Sequence, residues 1–504
     1  MNSDILKIYF QSLFMKSPHC IFTIALCATA LSSNNLVAGT VSNSNDSGSG
    51  SLRAAIAAAI NGEVIDFAPA LNGATITLTS GQLLISGKTV AIDASSLASG
   101  FSISGGNLSR ILTIDGSSNV TLRNITIRNG QVINQNGGGL LLAEGTLEMF
   151  DCSIVNCSAT FNGGGINLAL GTTATLDRCK FVGNSSSNLG FGGAIYIAGA
   201  ASTLIRNSVI SGNSNPIAGG ISVANSSPSI VNCTIQGNSG GGVRCDSNSA
   251  PVLVNTIIWD NSAESGTTPQ QQLRSLSGSL PSVSNSLVQG AANAASFGVG
   301  NPVTWGTGNL DGTLAANNPK FAESIDPANA PHTGGDLRLL VTSSSLNAGS
   351  NLANAGTLDL SRSARIQDSI IDLGAYEGGF TRFVTLYPTL TPNGDENLNG
   401  IENLQEYGMG FDPTSTATTS RNAILSTSGN DLLFSCFVRT NALDVFPFWE
   451  TNNDLGLSWT EMVEGVHYTL SSSTPVTTDR SRVDFRLITN EPRRFYRQSF
   501  IIQP

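Results

Sequence analysis

Aspartates and arginines recur in this chain at nearly fixed distances. Asp151 stands 27 residues before Arg178, and Asp177 stands 29 residues before Arg206. Carboxylates and guanidinium groups held in register could serve two purposes. They could cross-link neighbouring chain segments, where such pairs contribute roughly 0.2–1 kcal/mol each, or they could attack a polysaccharide. Hydrolysis of a glycosidic bond needs two neighbouring carboxyl groups as acid and base, and elimination needs clustered carboxylates for calcium with a basic residue. Neither set is identifiable: only His332 and His467 remain beyond the N-terminal leader, both outside the recurring region, and no adjacent Asp pair occurs there. No residue is therefore assigned a catalytic role. Arg123, Asp151, Asp177, Arg178 and Arg206 instead form a polar stripe on which a glycan could lie, with Tyr196 and Trp259 as stacking platforms.

A second constellation suits a cation. Asp395, Asn397, Asn399, Gly400 and Glu406 fit every defined position of D-x-[DN]-x-[DN]-G-x5-E. Alternate side chains converge, the glycine turns sharply, Glu406 closes the site with two oxygens, and Ile401 adds its carbonyl. Two Asn in place of Asp lower the ligand charge, so a weak Ca2+ site of extracellular type is expected.

The elements that must position these groups follow from a repeat. One column reads Ile125, Cys152, Cys179, Ser208, Cys233, Thr256 and Ser286, at intervals of 27, 27, 29, 25, 23 and 30 residues. Two residues later every position is apolar, from Ile127 through Ile154, Phe181, Ile210, Ile235 and Ile258 to Val288. Three residues earlier the same holds from Leu122 to Val283, and five of the seven residues just before the column are Asn. A glycine-led strand such as "GGGLLL" (137–142), "GGGINL" (163–168) or "GGAIYI" (192–197) falls once per repeat. A unit of this length cannot enclose its own apolar side chains, but stacked coils can, each strand bonding to copies about 4.8 Å above and below. The cysteines of the column are expected to pack as small apolar groups.

These columns resemble the right-handed parallel β-helix, an all-β solenoid assigned to 119–344, with seven well-marked coils between about 120 and 290. Residues 40–118 are expected to hold an N-terminal cap and degenerate coils, the cap being a helix capped by Ser51, striped with Leu52, Ile56 and Ile60, and ended by Asn61-Gly62. The pattern "GSLR.AI" followed by "ItLtsG.L.I" looks like the N-terminal segment of many secreted bacterial β-helix proteins. Residues 345–380 resemble the choice-of-anchor Q region that closes such chains, through Leu346, Ala348-Gly349, Asp359, Arg362, Arg365-Ile366 and Asp372 to Glu377; the usual glycine between Asp and Arg and the Pro after Gly349-Ser350 are missing. Residues 381–421 form a linker bearing the calcium loop. Residues 422–504, richer in aromatics and charge, read as a small antiparallel β domain similar to the C-terminal attachment or export module of Verrucomicrobia-type secreted proteins.

Composition bounds the partners. Charged residues make up 12% of the 504, against a typical ~25%, and the net charge is −10. The negative net charge speaks against nucleic acid or an anionic membrane surface as a partner, and no focused basic groove for an acidic polysaccharide is visible. Lys7 and Lys16 ahead of the apolar run 20–31, with small residues at 37–39, read as an export signal over 1–39. The run is too short to span a bilayer, and the mature chain carries no other transmembrane segment. The expected protein is secreted or displayed on a bacterial surface, where it binds extracellular polysaccharide or mediates adhesion to an envelope component. A polysaccharide lyase or hydrolase and a structural envelope component are the alternatives.

Overall fold

Each letter of the recurring phrase has a distinct backbone task. A computed structural model describes residues 37–378, apart from 200–201, 341, 354–355 and 367–368, together with the backbone of strands between 424 and 502. The Asn-rich position before the column is left-handed on every coil, with φ of 55° at Asn124, 56° at Asp151, 52° at Arg178, 49° at Asn207, 53° at Asn232, 51° at Asn255 and 44° at Asn285. Asn reaches this conformation at low cost because its short side chain bonds locally. Four residues after the column's own position lies a second left-handed corner, at Asn129, Asn156, Gly183, Gly212, Gly237 and Asp260. Between the two corners the chain is straight and its alternate residues face inward.

The corners divide each coil among three parallel sheets. Sheet A has eleven strands, running in order from Val37–Val41 to Thr304–Trp305; sheet B has nine, from Thr75–Thr77 to Leu287–Val288, and sheet C eight, from Leu83–Ser86 to Leu273–Ser275. Partners sit one coil apart in unbroken register: Met149 against Leu122 and Leu176, Ile154 against Ile127 and Phe181, Ile166 against Leu140 and Ile195. The inward columns read from the sequence are fully buried on all seven coils. The protein is thus an all-β, right-handed parallel β-helix. The strands between Ile424 and Ile502 pair antiparallel in sheets of four and three.

Two features at the ends differ from expectation. The N-terminal helix spans Leu52–Ala58, and Ser51 caps it by accepting from the Ala54 N–H at 3.2 Å. Leu52, Ile56 and Ala59 face the core, whereas Ile60 is 61% exposed. The stripe ends early because the chain turns extended at Ala59 (ψ 134°), which points Ile60 away. At the other end regular pairing stops at Trp305, which is half-buried and packs against the core residue Phe297 (centroids 5.7 Å apart). The segment 321–378 does not close that end. It runs back along the outside of sheet B: the Gln236 side chain bonds Ile325 at both its O and N, His332 donates to Gly212 O, Gly374 to Asn255 O, and Arg362 reaches Asp151 at 3.4 Å. Glycine is required at Gly212 and Gly237, where an added Cβ would meet His332 O at 2.1 Å or Ile325 O at 2.6 Å. This flap and the outer face of sheet B share a second apolar core containing Val209, Ile257, Trp259, Leu287, Leu337, Leu339, Leu373 and Ala375.

Most of the export signal (1–36) and the calcium loop Asp395, Asn397, Asn399, Ile401 and Glu406 lie outside the described residues. Among the described residues no helix is long and apolar enough to cross a membrane.

Candidate ligand-binding surfaces

The polar stripe lies at the corner between sheets A and B, where the αL turn brings consecutive coils within reach. Arg178 donates to both oxygens of Asp151, at 2.8 and 3.2 Å, and to Asp177 at 3.0 Å. Asp177 also receives Arg206 at 3.0 Å and the Asn207 amide at 2.9 Å, and the residue is 1% exposed. From there the ladder continues through amides, Asn232 to Asn207 and Asn255 to Asn232, each at 3.0 Å. Arg123 lies over the Phe150 ring at 4.3 Å and faces Asp93 at 3.8 Å. Every carboxylate of the stripe is therefore engaged by a cation from an adjacent coil or from the flap. A general base must present a lone pair to a substrate proton, whereas Asp177 accepts from three donors and is 1% exposed. The geometry is that of a cross-strand tie.

The stacking platforms do not join this stripe. Trp259 is 6% exposed, because its side chain points outward from sheet B into the core shared with the flap. It offers no open face, a correction to its expected role that follows from 321–378 covering sheet B. Tyr196 lies on sheet C, on a different side of the solenoid. Its outward column runs Leu84, Thr113, Leu141, Asn167, Tyr196, Ser222, Arg244 and Arg274, one residue per coil. Tyr196 is half-buried; burial, together with the negative charge of Asp246, pushes its phenol up. Arg244 pairs with Asp246 at 2.9 Å and sits 5.5 Å from the Phe191 ring centroid. Beside Tyr196, the Asn167 carbonyl accepts no hydrogen bond although the residue is 97% buried. An aromatic ring and, two rungs further on, a guanidinium thus share an outer column whose rungs lie about 4.8 Å apart, while the Asn167 acceptor is enclosed.

The cysteines carry no site. Cys152, Cys157, Cys179, Cys233 and Cys245 are free and buried, and burial pushes the thiols of Cys152, Cys157 and Cys233 up to about 12. Among the described residues no group of three or more His, Cys, Asp or Glu could hold a metal ion.

Sequence reasoning missed an interior amide ladder. Asn184, Asn213, Asn238 and Asn261, ending at Gln272, pass Oδ1 and Nδ2 from coil to coil at 2.8–3.1 Å inside the core. The signal was present: Asn ends the phrases "RCKFVGN" and "NCTIQGN". The flap's buried network was legible only as separate motif residues. Arg365, fully buried, donates to the carbonyls of Asp372 and Gly374 and lies 3.9 Å from Glu377; Asp359 accepts from the backbone N–H of Ser363 and of Glu377.

Residues 110–286 match the family model described as a right handed beta helix region. The comparison with curated proteins gave no match. Fold and repeat are therefore those of a β-helix, an architecture shared by surface proteins and by enzymes that act on polysaccharides.

Proposed function

We propose that this protein binds extracellular polysaccharide without cleaving it, as a secreted or surface-displayed adhesive β-helix. The observation that carries the reading is the outer face of sheet C. Tyr196 supplies a stacking surface and Arg244, two coils further along the same outward column, a donor, a combination that suits a sugar's apolar ring face and its hydroxyls. The ion pairing of Asp151 and Asp177 with arginines speaks against an acid–base pair at the ladder. Choice-of-anchor-like residues 345–380 would hold the flap to the coils, and the loop Asp395–Glu406 would bind Ca2+ weakly as a structural ion ahead of the C-terminal strands.

The test is retention of the full chain on insoluble neutral polysaccharides, with the supernatant assayed for reducing and unsaturated ends. Retention without products, lost in Tyr196→Ala, supports the reading. Products that disappear in Asp177→Asn would establish the enzyme instead. No retention, together with tight fractionation into the cell envelope, would favour a structural role.

A further inference from the structure

A second surface feature lies on the same flank, nearer the N-terminus. Gln82, Asn107, Leu108, Ser109, Arg110, Gln131, Val132, Ile133 and Gln135 line a cleft of about 570 Å³, within the roughly 300–1,000 Å³ of small-ligand sites. Arg110 forms its floor and is 6% exposed. All five of its N–H groups are donated, and every acceptor is neutral: Gly137 O (2.9 Å), Gln82 Oε1 (2.7 Å), Thr113 Oγ1 (3.1 Å), Gln135 Oε1 (2.8 Å) and Asn136 O (2.8 Å).

A buried guanidinium normally has a carboxylate partner, because removing an isolated charge from water is costly. Arg110 has none among the described residues; burial alone lowers its basicity, with no acidic neighbour to offset it. Its bonds have a second consequence. By consuming the Oε1 atoms of Gln82 and Gln135, Arg110 fixes which end of each amide remains, and those remaining ends are Nε2 donors with no acceptor among the described hydrogen bonds. The Ser109 hydroxyl at the same cleft is also unpartnered, but it is enclosed, so the donors open to a ligand are those of half-buried Gln82 and exposed Gln135. The site thus combines positive potential with unused donors, the inverse of what a neutral, acceptor-poor ligand requires. Leu108 and Ile133 stand exposed at its lips, apolar surface against which a ring could pack.

We propose that this cleft is a binding site for an oxyanion carried on a saccharide, a carboxylate or a sulfate ester, seated above Arg110 and received by the free amide donors of Gln82 and Gln135. The saccharide part rests on the polysaccharide reading above; the anion part rests on the charge of Arg110 and the amide donors of Gln82 and Gln135. It also revises the expectation from net charge that an acidic glycan finds no basic groove here, since one unneutralised cation in a small cleft is invisible in a total of −10.

The test is calorimetric titration of the full chain with three disaccharides of one skeleton: one bearing a glucuronate, one bearing a sulfate ester, and the neutral parent. Binding of either anionic form at least tenfold tighter than the parent is expected, and the stronger arm names the anion. Gln131→Glu places a carboxylate at the rim without touching any bond of Arg110, and should abolish that tenfold preference while the neutral parent is unaffected. Arg110→Met should do the same, with circular dichroism reporting whether the coil survives. Equal binding of all three sugars, or a preference unchanged in Gln131→Glu, overturns the anion site and leaves the sheet C reading standing. Failure of neutral polysaccharide to bind, with the anionic preference intact, does the reverse.

Discussion

Replacing Asn213 by Ala isolates the contribution of the interior amide ladder. The Asn213 Oδ1 accepts from the backbone N–H of Asn184 at 2.9 Å and from its Nδ2 at 3.0 Å; its Nδ2 donates to Phe181 O at 2.9 Å and to Asn238 Oδ1 at 2.9 Å. The truncation strands the Asn184 N–H in a region without water, since both residues are fully buried, and it withdraws a donor from Phe181 O. Each buried polar group left unmatched costs about 1–3 kcal/mol, so the sum is about 3–5 kcal/mol once the small cavity is included. Against a total of about 5–15 kcal/mol, the variant should unfold at markedly lower urea concentration by far-ultraviolet circular dichroism. Cys157→Ala is the matched control: it occupies the same column one coil earlier than Asn184, and its thiol accepts from Gly130 N at 3.3 Å and donates to Val155 O at 3.4 Å; sulfur is a weak partner in both roles, so about 1 kcal/mol is expected. A loss below 1 kcal/mol in Asn213→Ala, or one equal to the control, would refute the ladder as a source of stability.

Other outcomes follow from the same geometry. Arg365→Met leaves Asp359, Asp372 and Glu377 buried without their cation, a change of about 3–5 kcal/mol; proteolysis should then open 321–378, and Trp259 fluorescence should shift to the red. Burial alone would raise Asp46, but the hydrogen bonds from Arg53 and from Thr79 and Ser80 outweigh it and hold the carboxyl well below the usual range. Its contribution is therefore complete above the unfolded value of about 3.9 and is lost as pH falls through the depressed folded value; the melting-temperature gap between wild type and Asp46→Asn should be constant at neutral pH and narrow below about pH 4. The five buried thiols should resist a water-soluble thiol reagent at pH 8 until urea unfolds the coils. Calcium titration should reveal one site with Kd of about 10⁻⁴–10⁻³ M, abolished in Glu406→Gln.

What the sequence determined is the solenoid interior. A solenoid places residues one period apart directly above one another, so Ile154, Phe181 and Ile235 could be assigned to one column from spacing alone, and so could the pairing of Asp177 with Arg206. The left-handed corner at Asn207, Asn232 and Asn255 was legible for the same reason. Nothing periodic marks 321–378, and only the folded chain shows that this segment returns along sheet B and buries Trp259, while Tyr196 stays half-buried on sheet C. The Arg110 cleft was equally hidden, because its partners Gln82 and Gln135 lie 28 and 25 residues away on neighbouring coils, and a missing carboxylate leaves no motif. Periodicity encodes contacts between equivalent positions; contacts between unlike segments, and the absence of a partner, are decided only when the chain packs against itself.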